Sequence, residues 1–587
     1  MKTLKYLFFI VCISLFYACD IMEKEPLNII SEKAVYNDPV LIEAHLGRIY
    51  ANLSFLNREG NGTQENVDPV STLADEGRHA RDWHNLYIKW KAGLLDFSGG
   101  LLEMWNYSQI RTVNEFLEKI QESSLPADTK KEMVARARFA RAITYFYMVK
   151  RYGGIPILTK PQAIDASQEE LFVSRNKEVE VYDFIISEID EIAGDLPATR
   201  DKMTIGYPSR YTALALKSRA AMYAASIATW GEVQIDGLVG IPASEARRFW
   251  QASYDASKQI IESGIYKLYN KVPDDKAENF RKLFVDENNE EVIFSWQLTG
   301  LNVKSDYDLF MSPLQYVSWG SSMTSVYLEM VESFENKDGS PGTFDVERAT
   351  NQTWNLTEFF ADKDPRFHAS INYEGVVWRG EPIENWRGII KRDGSRITSG
   401  RYENRQAQGR SYSLAGAIGA SITGFNVHKY LDETLSPIAE GKTKIDFIVF
   451  RLGEIMLNYA EAAFELGATD EALQKVNALR ERAGIALLST ITRDKIRQER
   501  KVELAFEGHR WWDLKRWRIA EATITRNYRG IYTYYDAASE KFKIEIKPNA
   551  HNEETPAKFE KKHYYLPITN GRISNNPNLA PENPGYY

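Results

Sequence analysis

Leu457-Asn-Tyr-Ala-Glu-Ala-Ala-Phe-Glu-Leu-Gly467, followed directly by Ala468-Thr-Asp-Glu-Ala-Leu-Gln-Lys-Val-Asn-Ala-Leu-Arg480, is the stretch on which the fold turns. Its first half is a helix pattern with alanines where a second helix can approach closely. Leu466-Gly467 stops that helix, because glycine is the residue that closes a helix in a left-handed conformation. Asp470-Glu471-Ala472 then opens a second helix with its acids in the first turn.

Such a pair is the grammar of a tetratricopeptide hairpin, which needs neighbouring hairpins to bury its apolar face. Working outward, Lys130 to Tyr152 places Ala135, Phe139, Ala142, Ile143, Phe146 and Val149 at helical spacing, with Arg136, Arg138, Arg141 and Lys150 between them. Gly153-Gly154 and Pro156 end it. A third helix is predicted over 209–228 after Pro208-Ser209, and a fourth over 244–263 before Gly264. Short polar joints make neighbouring helices antiparallel. The residues thus predict a helical solenoid, a tetratricopeptide-like helical hairpin scaffold over about 36–265 and 445–520. Between them, about 270–443 is rich in Gly, Asn, Asp, Ser and aromatics and holds short strand-like pieces such as Glu291-Val-Ile-Phe-Ser-Trp296. This region is expected to be irregular and to cover one face of the scaffold. An irregular tail is expected over 520–587.

At the front, Met1 to Lys5 carries two positive charges and Tyr6 to Phe16 carries none, the n-region and h-region of a secretory signal. Ala18 and Cys19 follow, as lipoprotein signal cleavage requires. Residues 1–18 are therefore expected to be removed, leaving Cys19 lipidated and 19–35 as a tether. The other cysteine, Cys12, leaves with the signal, so the mature chain has one thiol and no internal disulfide. Acyl chains on Cys19 would bind membrane lipid by about 0.8 kcal/mol for each buried methylene.

Of 587 residues 26% are charged, and the formal net charge is −8, which argues against a nucleic-acid partner. The 32 Tyr, 27 Phe and 13 Trp are mostly core, and any surplus on the surface suits the apolar faces of sugar rings.

The ordered set of motifs resembles the SusD/RagB family of outer-membrane nutrient-binding lipoproteins. The pieces are Asp38-Pro39, Asp75-Glu76, Ala135 to Gly153 with Ile155-Pro156, Phe334, Asp338-Gly339, Asp364-Pro365-Arg366, Arg451 to Glu461, Arg480 to Gly484, Glu499-Arg500, Glu503-Leu504, Glu507 to Leu514, Arg516-Trp517, Tyr565 to Ile568, Asn576-Pro577 and Asn583 to Tyr586. The resemblance implies an all-α, SusD-like body over 36–587 built around four hairpins, anchored at the cell surface of an outer membrane. It implies capture of an oligo- or polysaccharide, peptide in some relatives, and delivery to a SusC-like TonB-dependent transporter. A protein–protein adaptor on the same scaffold is the alternative.

Glycan capture needs exposed rings and a few fixed polar groups. One segment offering both contains Asp75, Arg78, Arg81, Trp83, Asn85 and Trp90; the other runs from Tyr307 through Tyr316 to Trp319. Trp83 and Trp319 are the leading stacking candidates. Trp511, Trp512 and Trp517 are assigned to the core. Glu499, Glu503 and Glu507 recur at i, i+4, a spacing that could serve acid–base hydrolysis; an ion-pair belt with Arg500, Arg510 and Arg516 is the preferred reading, so no enzyme activity is expected. No cofactor motif is present, and Asp286 to Glu291 lacks the spacing of a calcium loop, which leaves a solvated loop and no metal.

Overall fold

The computed structural model describes residues 32–58, 70–80, 91, 93, 102–163, 165–201, 204–298, 305–317, 320, 322–412, 421–550 and 556–586. The signal, Cys19, and the candidates Arg81, Trp83, Asn85, Trp90 and Trp319 lie outside them.

Helices Tyr107–Lys119, Ala127–Tyr152, Glu178–Ile192, Arg210–Trp230 and Ala246–Glu262 pack in succession, each against the next. The helix Leu452–Leu466 then packs on Ala246–Glu262, so the array continues across the inserted middle of the chain and ends in Thr469–Ala483 and Arg493–Glu503. The hairpin is as expected: Gly467 closes Leu452–Leu466 at φ +93° and Gly484 closes Thr469–Ala483 at φ +76°. Ser209 caps the helix Arg210–Trp230, its hydroxyl accepting from Thr212 N at 3.1 Å.

One helix departs from its amphipathic pattern. Ala127–Tyr152 runs through the middle of the body, and its Arg136, Arg141, Lys150 and Arg151 are buried with the apolar residues. Each of the first two has an acid waiting: Arg136 pairs with Glu43 at 2.5 Å and Arg141 with Glu188 at 2.8 Å.

The all-α expectation is corrected: the body is mainly helical but carries sheets. Val292–Trp296 pairs antiparallel with Phe447–Arg451 at the two ends of the inserted region. A four-stranded sheet joins Gly77–His79, Thr324–Val326, Phe425–Val427 and Ile371–Tyr373 in that order. A five-stranded sheet runs Thr353–Trp354, Lys541–Lys547, Gly530–Asp536, Gly388–Ile390 and Arg396–Ile397. The tail expected to be irregular thus supplies the two longest strands of that sheet. A separate apolar cluster, including Phe334, Phe360, Phe367, Phe425, Ile531 and Ile544, lies under these sheets.

Candidate functional site

Tyr316 ends a 3-10 turn, Leu314–Tyr316, that follows Pro313. Its ring is half-buried and meets Trp378 edge-on, 4.8 Å between centroids. Its hydroxyl donates to the carbonyl of Trp378 at 2.7 Å. Trp378 belongs to a hairpin, Val377–Trp378 with Glu381–Pro382, turned by Arg379 and Gly380 at φ +55° and +80°. Two consecutive positive φ values make the tight turn that matches strand twist. Arg379 bears its strained conformation while its guanidinium donates to Leu435 O at 2.7 Å, which ties the hairpin down.

Gln315 joins three segments. Its amide nitrogen donates to Pro382 O at 3.0 Å, and its amide oxygen accepts from Glu384 N and from the Ser411 hydroxyl, both at 2.9 Å. Arg410 bridges Glu381 and Glu384 at 2.9 Å each, with its side chain 47% exposed. Tyr316 therefore stands among fixed donors and acceptors on a surface whose backbone is held by hydrogen bonds. Burial pushes its phenol above the ordinary value, so the hydroxyl stays a donor at neutral pH. Sequence reasoning singled out Tyr316 but not Gln315, Arg410, Glu381 or Glu384. Only the Arg379-Gly380 turn left a local trace of this arrangement.

The other candidates inside the described residues turn inward. Tyr307 is packed in the core, its hydroxyl donating to Lys429 O at 2.8 Å. Asp75 is buried between Arg510 at 2.7 Å and Lys501 at 2.9 Å. Burial raises its carboxyl, but the Arg510 and Lys501 charges outweigh that and hold it far below the usual carboxylate range. Arg78, also buried, donates to the carbonyls of His79 and Ala550. The expectation of ligand-facing roles for Tyr307, Asp75 and Arg78 gives way to packing and ion pairing. Lys91, not anticipated, donates to the carbonyls of Thr72, Ala74 and Gly77 and fixes the turn before Arg78.

Glu499, Glu503 and Glu507 form the belt that was the preferred reading, though with other arginines. Arg451 reaches Glu291, Glu503 and Glu507 at 2.7–2.8 Å, and Arg366 reaches Asp364, Glu499 and Glu503 at 2.6–2.9 Å. Arg480, Arg482 and Lys429 complete it. Every one of these side chains is buried, which leaves no room for a substrate between the carboxylates. Arg500 and Arg516 instead hold Asp513, and Trp511, Trp512 and Trp517 are core as assigned. The loop Asp286 to Glu291 is only partly solvated: Asn289 is buried on the carbonyls of Leu283 and Asp286, and Glu291 belongs to the belt. Among the described residues no three His, Cys, Asp or Glu side chains are grouped to hold a metal, and no helix is long and apolar enough to cross a membrane.

A mainly helical array with a sheeted insertion covering one side is an architecture shared with known proteins. The crystal structure of a SusD-like protein from Bacteroides fragilis superposes with a TM-score of 0.73 at 24% identity, covering 96% of this chain and 100% of that one. A SusD-like carbohydrate binding protein from the same species gives 0.68 at 22%, covering 93% and 100%. SusD-like protein P2 of Formosa agariphila is 24% identical over the full length of both chains. A profile of the SusD family matches residues 290–586, and one described as starch-binding associating with outer membrane matches 32–222. The chain belongs to the SusD family.

Proposed function

We propose that this protein captures an oligo- or polysaccharide on the surface around Tyr316 and delivers it to a SusC-like TonB-dependent outer-membrane transporter, without catalysis. The observation that carries this is the Tyr316 surface itself. A half-buried ring is braced edge-on by Trp378 and flanked by Gln315, Glu384, Arg410 and Ser411, whose polar groups suit sugar hydroxyls. Membership of the SusD family supports it, as does the carbohydrate-binding description of the B. fragilis neighbour. Trp83 and Trp319 remain the proposed stacking partners, with Arg81, Asn85 and Trp90 as further proposed contacts. Cys19 holds the protein by its acyl chains on the outer membrane, surface-exposed next to the barrel.

Affinity electrophoresis of the mature protein against a panel of polysaccharides tests the reading. Retardation by at least one glycan is expected, weakened several-fold in Tyr316→Ala, since one stacked ring contributes about 1 kcal/mol. Trp83→Ala and Trp319→Ala are expected to do the same with folding intact. Retardation unchanged in all three would remove the site; sugar release during the run would bring back an enzyme. Loss of surface labelling in Cys19→Ala checks the anchor.

A further inference from the structure

Arg387 stands directly before the strand Gly388–Ile390, its amide donating to Thr533 O at 2.7 Å. Its guanidinium carbon lies 4.1 Å from the ring centre of Tyr532. Three nearby arginines have acids: Arg396 pairs with Glu545 at 2.6 Å, Arg392 with Glu403 at 3.1 Å, and Arg410 with Glu381 and Glu384, whereas Arg405 stacks on Tyr535, 4.0 Å from its ring centre. Arg387 has none. Among the described residues no carboxylate comes within ion-pair distance of it, and its Nε is buried without a hydrogen-bond partner. The ionisable groups around it are the phenols of Tyr412, Tyr534 and Tyr532. The Tyr532 ring and the phenols offset its burial, but none of them is a carboxylate that neutralises the guanidinium, which leaves its charge open to an anion from outside.

The surroundings fit such an anion. Burial pushes the Tyr412 phenol up to about 12, so it remains protonated at neutral pH and can donate. The planar fork of arginine matches an oxyanion bidentately. A second cation, Lys547, lies 5.3 Å from the Tyr532 ring centre on the other long strand. The position also fits. Gln315, next to Tyr316, bonds both Glu384 and Ser411, and the backbone from Glu384 to Arg387 covers at most roughly 10 Å. Tyr412 follows Ser411 directly. A glycan resting on Tyr316 therefore has a short path to Arg387.

We propose that Arg387, with Tyr412, Tyr532 and Tyr534, is a subsite for the charged group of an acidic glycan, a uronate carboxylate or a sulfate ester on the sugar ring. This rests on the glycan-binding reading and names its ligand class.

Isothermal titration of the intact mature protein with methyl glucuronide, glucose 6-sulfate and neutral methyl glucoside tests it, alongside affinity gels of polygalacturonate, a carrageenan and starch. At least one acidic probe is expected to bind, more weakly as salt rises, and which one binds separates carboxylate from sulfate. Arg387→Gln should weaken that binding by about tenfold or more at an unchanged melting temperature, with Arg387→Lys intermediate. If Arg387→Gln does not fold, Tyr412→Phe carries the test with a loss of roughly threefold, one hydroxyl having gone. Acidic ligand held equally by Arg387→Gln, or by Tyr412→Phe in its place, overturns the subsite. So does binding confined to starch and sensitive to Tyr316→Ala, an outcome that leaves the glycan reading standing. Binding to no glycan of either kind overturns both.

Discussion

The belt around Arg451 and the surface around Tyr316 are built from the same residue types, arginines and glutamates beside aromatic rings, and they do opposite things. In the belt every charge is buried and answered from several sides. Asp364, Arg366 and Lys429 come from the insertion, while Arg480, Arg482, Glu499 and Glu503 come from the last scaffold helices. It clamps the sheeted insertion to the helical array. On the loop surface the pairs are half exposed, and Arg387 lacks an acid among the described residues. A charge cluster is structural where its pairing is complete and dry; it is available to a ligand where pairing is incomplete and water can reach it.

The largest way to break this contrast is Arg451→Ala. It leaves Glu291, Glu503 and Glu507 short of their shared guanidinium in a buried site, and a loss of about 3–5 kcal/mol in urea unfolding is expected. A loss under about 1 kcal/mol would mean that the belt is not the clamp.

The pH dependence of the two regions should have opposite sign. Burial raises the Glu503 carboxyl, but Arg482, Arg451 and Arg366 outweigh this and hold it well below its ordinary value. Its contribution is present above the unfolded value near 4.3 and is lost as pH falls through the depressed one. Glu374, beneath the loop surface, accepts from Asn385 N and is pushed up to about 8, chiefly by burial. Its folded pKa is raised, so its contribution is full below about 4.3 and falls as pH rises toward 8. Glu374→Gln should cancel a decline of a few kcal/mol between those limits in chemical unfolding followed against pH. A wild-type slope kept by the variant would assign the decline elsewhere.

Gly453→Ala should cost about 1–3 kcal/mol, because an added Cβ would sit 2.2 Å from Arg451 Nη1 and 2.9 Å from Glu291 Oε1, inside the belt. Thermal melting measures it, and a neutral result would show that the belt can shift. Arg410→Ala is the smallest effect: its pairs with Glu381 and Glu384 are open to water, and stability should change by no more than about 0.5 kcal/mol. A drop comparable to that of Arg451→Ala would erase the distinction between the regions.

Much of the scaffold was legible. Helices expected over 130–152, 209–228 and 244–263 are found at Ala127–Tyr152, Arg210–Trp230 and Ala246–Glu262. Their caps and glycine stops are local features. The sheets were mostly missed, because strands such as Thr353–Trp354 and Arg396–Ile397 are too short to show a period and pair with distant partners. Lys541-Phe-Lys-Ile-Glu-Ile-Lys547 was an available signal: its strict polar–apolar alternation marks a strand with one face inward. Of the candidate site, Tyr316 was reached by its neighbourhood in the chain. Tyr307, nine residues earlier and chemically identical, proved to be core.

By itself, then, the sequence determined the helical hairpins and where they end, and through ordered motifs the family. Periodicity, capping and glycine stops act within a few residues, so they can be read along one dimension. The tertiary structure alone decided which of many similar charges and rings face water. Arg451 and Arg387 cannot be told apart as letters; one meets three carboxylates delivered by distant segments and the other meets three tyrosines. Burial and pairing are set by what the fold brings together from far apart, and those are the quantities that separate a clamp from a binding surface.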